Sequence, residues 1–246
     1  MKTLFSSSSR PEKRYLKMRK VLVSITTTRG SDWRGKIKEI QKFGLKEIAL
    51  FPTCFKKEKR KELYGLLEKA NIRNVPFVHI RNDMTPAELD FLIEKFKTKK
   101  FNIHTDKEYP FIHDYSQKHR KMIFIENVYE PFDEKEIRRF GGICLDMAHL
   151  EDDSLLHPGK FAHNVEILER NEIGCNHLSC VQKVLRRDFE DVSWRYDSHV
   201  LRKLLQMDYL KRYPKKYFSD MVAIELENSI ETQLKVRNYL IKKIGL

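Results

Sequence analysis

Long apolar runs are absent from this sequence. No stretch approaches the roughly 18 apolar residues of a membrane-spanning helix, and the basic, serine-containing N-terminus is followed by no apolar signal-peptide core. Cysteine is also scarce: there are four in 246 residues, with no CxxC pair, so neither a disulfide framework nor a zinc-knuckle spacing is visible. We therefore expect a cytoplasmic protein with reduced thiols and no membrane partner.

Acidic residues are outnumbered by basic ones. Lys and Arg total 48 against 35 for Asp and Glu, a formal net charge of +13. A surface of this charge attracts polyanions, so nucleic acid is one partner that the composition allows. Much of the excess lies in helical stretches such as 56–61, where no aromatic residues alternate with the cations as they do in nucleic-acid stacking platforms. We therefore assign most of the excess to solvated outer helices.

Short β-rich runs alternate regularly with amphipathic segments. The runs begin near residues 21, 47, 75, 101, 121, 142, 173 and 221. Apolar residues recur at helical spacing in 34–43, 57–70, 86–97, 159–170 and 230–243. Eight strands alternating with helices predict an α/β fold, a single (β/α)8 TIM barrel over residues 19–246, preceded by a flexible basic tail, residues 1–18. An open doubly wound sheet is the alternative, but no glycine-rich phosphate loop follows the first run.

Polar residues stand late in six of these runs. Alternation along each strand turns them to the face opposite the aliphatic residues, into the barrel. They are His79, His104, Glu126, Asp146, His177, and Glu225 or Glu227. In a parallel barrel the C-terminal strand ends meet at one mouth, where carboxylates repel one another unless a cation or protons neutralise them. Mixed His, Asp and Glu donors predict a divalent metal such as manganese, zinc, cobalt, iron or magnesium.

Three further residues extend this set. His149 follows Asp146 by three positions, where the chain leaves the sixth strand. Asp197 and His199 lie in the long segment between the seventh and eighth strands. Each group could bind another metal ion or contact substrate, and Asp197–His199 could equally be an ordinary loop turn.

At these residues the chain resembles the xylose isomerase-like TIM barrel superfamily, which includes sugar and sugar-phosphate isomerases and epimerases as well as barrel-type apurinic/apyrimidinic (AP) endonucleases. The resemblance covers roughly residues 20–243. The matching motifs are IEN at 125–127, LDMAH at 145–149, NHLS at 176–179, YDSH at 196–199 and IELENSIETQL at 224–234.

The resemblance to the isomerases implies one metal held by Glu126, Asp146, His177 and Glu225. In those enzymes the metal binds the carbonyl and hydroxyl oxygens of the substrate, and Glu126 and Glu225 resemble the acid/base pair that moves the proton beside the carbonyl. The sequence therefore favours a metal-dependent isomerase or epimerase of a small sugar or sugar phosphate. The second strand lacks the glutamate often found at its end in this branch, and the choice of Glu225 over Glu227 rests on the motif alone.

The resemblance to the endonucleases implies the alternative, a metal-dependent phosphodiester hydrolase with three ions. His79, His104, His149, Asp197 and His199 match the additional ligands of that branch in kind and order. Three departures count against it. The spacing from His177 to Asp197 is long, the sequence after His177 is Leu-Ser-Cys where that branch has Leu-Asn-Asp, and the chain is short for loops that penetrate DNA.

Overall fold

A computed structural model describes residues 19–115, 117–187 and 193–246. The predicted N-terminal tail, residues 1–18, lies outside these ranges. The strands in chain order are β1 (Lys20–Leu22), β2 (Ser24–Thr26), β3 (Ala49–Phe51), β4 (Phe77–His79), β5 (Lys100–Ile103), β6 (Ile123–Glu126), β7 (Ile143–Asp146), β8 (Ile173–Leu178), β9 (Cys180–Arg187), β10 (Trp194–Ser198) and β11 (Met221–Ile224).

The main sheet closes on itself. Its order is β1-β11-β8-β7-β6-β5-β4-β3-β2, and all its pairings are parallel. Because β1 and β2 are consecutive parts of one strand, interrupted at Val23, the nine segments form eight barrel strands. The predicted (β/α)8 barrel is confirmed, and the open-sheet alternative is wrong because both ends of the sheet are joined through that first strand.

Within the described ranges six α-helices lie between the strands and a seventh follows the last strand. They are α1 (Trp33–Lys42), α2 (Lys57–Lys69), α3 (Pro86–Phe96), α4 (Glu134–Arg139), α5 (Met147–Leu156), α6 (Pro158–Leu168) and α7 (Ile230–Tyr239). The five predicted helices correspond to α1, α2, α3, α6 and α7. Thr85 and Ser229 cap α3 and α7 by accepting hydrogen bonds from backbone amides three residues on. No helix of the described chain is long and apolar enough to cross a bilayer.

The sequence did not reveal α4, α5 or the antiparallel hairpin β9–β10. Helix α5 is hard to detect because it buries acidic side chains, Asp152 and Asp153, where an apolar stripe is normally expected. The hairpin strands are only partly buried, so their alternation is weak. The hairpin leaves the barrel one residue after β8 and rises beside the C-terminal mouth, where it contacts α5.

The apolar core has two parts. Ile125, Leu145 and Ile224 face outward and pack under the helices, whereas Phe124, Cys144 and other inward residues fill the barrel. A side chain at position 174 would overlap the ring of Phe124, so Gly174 makes room for that aromatic ring inside the barrel. This packed apolar layer supports the polar residues above it at the mouth.

Candidate metal centre

The predicted strand-end residues meet at the C-terminal mouth of the barrel. His79, Glu126 and Asp146 are the last residues of β4, β6 and β7, while His177 lies one residue before the end of β8. His79, His104, Glu126 and Glu225 line a cavity of about 630 Å³. Asp146 and His177 lie deeper and are fully buried.

The four residues predicted to hold one metal meet at His177. Its Nδ1 atom lies 3.2 Å from Glu225 Oε2, 3.4 Å from Glu126 Oε1 and 3.9 Å from Asp146 Oδ2. Neither ring nitrogen of His177, nor Asp146 Oδ2, forms a hydrogen bond of good geometry with any residue in the described ranges. Buried polar atoms are rarely left without a partner, because each costs about 1–3 kcal/mol. A cation between these atoms would satisfy them.

A second group of possible ligands forms around His79 and His104. Their rings lie 4.8 Å apart, and His79 Nδ1 and His104 Nε2 are 3.5 and 3.8 Å from Glu126 Oε2. Asn102 donates a 2.6 Å hydrogen bond to the same oxygen and fixes the carboxylate. Asn102 lies two residues before His104 and shares its strand face, so alternation alone could have identified it.

A third group forms between α5 and the hairpin. The Nδ1 atom of His149 donates a 2.9 Å hydrogen bond to the Asn127 carbonyl, so Nε2 is the ring nitrogen that faces Asp197, 3.8 Å from its Oδ2 atom. Asp197 is buried on β10, so it is part of a strand that faces the site and not an exposed loop turn. His199 and Glu227 also line the cavity, and the Glu227 amide donates to the His199 carbonyl.

Burial and neighbouring charges shift the pKa values of these groups in opposite directions. Burial would lower the pKa of His177, but Glu126 and Glu225 outweigh it and raise that pKa well above its usual value. Burial would raise the pKa of Glu126, but His177 and His79 hold it well below its usual range. Burial lowers the pKa of His79 to about 3, so this imidazole is neutral and has a lone pair available for a metal.

The remaining groups follow the same physics. Burial would raise the pKa of Glu225, yet contact with His177 lowers it to about 2. Burial raises the pKa of Asp146 despite His149 and His177. Burial would lower the pKa of His149, but Asp146 and Asp197 raise it to about 9. Without a metal, protons on His177 and His149 therefore offset the carboxylates. A divalent ion would take over that role and release those protons.

Four arginines and two tyrosines surround this acidic floor: Arg29, Arg81, Arg186, Arg195, Tyr109 and Tyr129 line the same cavity. Arg195 lies with its guanidinium 4.7 Å from the Tyr129 ring centroid, and Arg186 Nε donates a 2.9 Å hydrogen bond to the Asp197 carbonyl. None of these six residues was predicted from the sequence. Arg186 and Arg195 are register partners on β9 and β10, so only recognition of the hairpin could have placed them together.

No protein-family model matches the chain, and no curated protein is similar to it in sequence. Among solved structures, it is similar to a xylose isomerase-like TIM barrel protein from Mycobacterium smegmatis in complex with magnesium, with 9% identity, a TM-score of 0.47, and coverage of 91% of this chain and 96% of that chain. It is also similar to the probable 3-DHS dehydratase AsbF of Bacillus anthracis, with 11% identity, a TM-score of 0.47, and coverage of 92% and 100%. Both similarities concern the fold.

Proposed function

We propose that this protein is an enzyme that uses more than one divalent metal ion to hydrolyse a phosphate ester. The observation that supports this most is the position of Glu126 between two histidine pairs. Its Oε2 atom faces His79 and His104, and its Oε1 atom faces His149 and His177, at 3.4–3.9 Å. A carboxylate with histidines at each oxygen would contribute to two metal positions, with His79 and His104 at one and His177 at the other.

The candidate metal ligands and the surrounding arginines would have different roles. Bound divalent ions would supply charge to a phosphoryl oxygen and lower the pKa of a water molecule to near neutrality. The arginines would hold the other phosphate oxygens, because guanidinium groups bind such oxygens in pairs. Glu225 faces both His177 and the cavity, so it would be the residue that accepts a proton from the attacking water. This function is the alternative in the sequence analysis, and the grouping of ligands around Glu126 favours it.

A second candidate is the isomerase or epimerase that the sequence favours. Glu126, Asp146 and Glu225 all lie within 3.9 Å of His177 Nδ1, an arrangement that suits a single ion held by these four residues. Glu126 and Glu225 would then move the proton beside the carbonyl of a sugar or sugar phosphate. In this case His79 and His104 would contact substrate or water and bind no metal.

The number of bound metal ions distinguishes the two candidates. Wild-type protein and the double variant His79→Ala/His104→Ala would be purified without chelators, loaded with zinc or manganese, and analysed by mass spectrometry of the metals. The hydrolase requires two or more ions in the wild type and at least one fewer in the double variant. One ion in both proteins contradicts it. His113→Ala is the matched control, since this histidine is not among the residues that line the cavity.

Activity gives an independent measurement. The hydrolase should cleave bis(p-nitrophenyl) phosphate, and duplex DNA with an abasic site tests the nucleic-acid branch of the same chemistry. The isomerase should exchange a carbon-bound proton of an aldose, a ketose or one of their phosphates with deuterated solvent. Proton exchange without phosphate-ester cleavage would replace the first candidate with the second.

A further inference from the structure

The apolar layer inside the barrel, directly below the carboxylates, contains a cysteine. Cys144 lies two residues before Asp146 on β7, so both side chains point into the barrel. The side chain is fully buried in the inner core, beside aromatic residues such as Phe124. The proposed hydrolysis uses no thiol, and the apolar surroundings of Cys144 indicate by themselves only a small buried packing residue.

Cys144 is close to two of the candidate ligands. Its Sγ atom, a ring nitrogen of His177 and a carboxylate oxygen of Glu126 all lie within 4.8 Å of one another. His177 is fully buried, and both its nitrogens are without a hydrogen bond to the described part of the chain. Three donor atoms of the kinds that bind zinc therefore converge where one of them lacks a partner.

We propose that Cys144 is a thiolate ligand, together with His177 and Glu126, of the deepest metal position, and that it makes this position select zinc or cobalt over magnesium. Binding breaks the Sγ–H bond, forms a bond between Sγ and the ion, and releases the proton to solvent. Thiolate sulfur is a soft donor that favours zinc-like ions, whereas magnesium prefers oxygen ligands in octahedral geometry. The proposal rests on the proposed function only in that both require an ion at the mouth.

The neighbouring strand supplies a matched comparison. Cys175 on β8 pairs in register with Cys144, is equally buried and belongs to the same inner core. It falls in none of the ligand groups formed by the residues described. The two thiols are neighbours with the same chemistry and burial, and among the described residues only Cys144 belongs to a group of possible ligands. A packing role predicts equal effects of Cys144→Ser and Cys175→Ser on metal binding, and a ligand role predicts unequal ones.

Cobalt spectroscopy tests the proposal directly. Metal-free wild type, Cys144→Ser and Cys175→Ser would be titrated with Co²⁺, and the near-ultraviolet band of thiolate-to-cobalt charge transfer recorded. We expect the band in the wild type and Cys175→Ser and its loss in Cys144→Ser. Zinc affinity, measured by competition with a chelating dye, should fall at least about tenfold in Cys144→Ser, with magnesium affinity unchanged. No band in the wild type, or the same band in Cys144→Ser, overturns the proposal.

X-ray absorption of the zinc-loaded wild type covers the case in which Cys144→Ser does not fold. A sulfur neighbour at about 2.3 Å from zinc is expected, and a shell of nitrogen and oxygen alone refutes the proposal. Both measurements are made without substrate. A thiolate signal without phosphate-ester cleavage therefore supports Cys144 as a ligand and refutes the proposed hydrolysis. Cleavage without the signal supports the hydrolysis and refutes the ligand.

Discussion

The floor and one wall of the barrel mouth are built in different ways. The floor residues Glu126, Asp146 and His177 stand at the ends of β6, β7 and β8, where each strand is paired on both sides and the side chains are at most 1% exposed. The wall is the hairpin β9–β10, whose strands pair with each other and not with the described barrel strands. Val184 and Trp194 on the hairpin are 72% and 58% exposed.

The root of the hairpin is nevertheless fixed to α5. The Oδ1 atom of Asp152 accepts hydrogen bonds from the amides of Tyr196 and Asp197 at 2.9 and 3.1 Å. Burial and the charge of Asp197 raise the pKa of Asp152 to about 7. Because a two-stranded hairpin is only marginally stable by itself, this anchor positions Asp197 over the floor while the outer part remains exposed. We infer that the floor determines the chemistry and the wall determines which substrate is held.

The largest effect should come from neutralising the centre of the floor. Glu126→Gln preserves the shape of the side chain but removes the charge that faces both histidine pairs. We expect kcat for cleavage of bis(p-nitrophenyl) phosphate to fall by about 1000-fold, roughly 4 kcal/mol of transition-state stabilisation, with a loss of bound metal. Glu166→Gln, on the exposed face of α6, is the control and should behave as wild type. A Glu126→Gln variant with more than a tenth of wild-type activity would contradict this role.

The same contrast explains what could be predicted from the sequence. Barrel strands are paired on both sides and carry β-rich runs with a regular inward face, so the run from Ile123 to Glu126 already shows which side chain enters the barrel. The meeting of Glu126, Asp146 and His177 then follows from the parallel order of the strands. Their grouping around individual oxygen atoms does not follow, because it depends on side-chain rotamers.

The wall could not be predicted in the same way. The partners of Arg186 and Arg195 depend on a hairpin register that contains an irregularity between Arg195 and Asp197. Helix α5, which anchors the hairpin, carries the acidic residues Asp152 and Asp153 on its buried face, where apolar residues are expected. Where polar residues are buried by tertiary contacts, the apolar periodicity that identifies a helix is lost.

A second prediction concerns the buried ion pairs that hold the loop after β4, the strand that carries His79. Arg60 on α2 is fully buried, with Nε 2.7 Å from Glu88 Oε1 and Nη1 3.1 Å from Asp83 Oδ2, in the loop after β4. Arg60→Met removes one partner and leaves Glu88 largely buried without its counter-charge. We expect the free energy of unfolding to fall by about 3 kcal/mol, measured by urea unfolding followed by circular dichroism.

The control for this variant is Arg34→Met, which removes an exposed ion pair with Glu62. Exposed pairs are screened by water and salt, so this change should have little effect on the unfolding transition. Equal destabilisation by the two substitutions would show that the buried ion pairs of Arg60 contribute no more to the free energy of unfolding than the exposed pair does. The prediction for Arg60 would then be wrong.

The smallest effect should come from the wall, and it should appear in binding alone. Arg195→Gln keeps a polar side chain beside Tyr129 but removes the charge that faces the cavity. We expect KM for bis(p-nitrophenyl) phosphate to rise about tenfold, roughly 1.4 kcal/mol, with kcat within twofold and metal content unchanged. Val184→Thr on the exposed part of the same hairpin should alter neither constant. If Arg195→Gln instead lowers kcat and metal content as Glu126→Gln does, Arg195 supports the metal centre, and the separation between floor and wall is wrong.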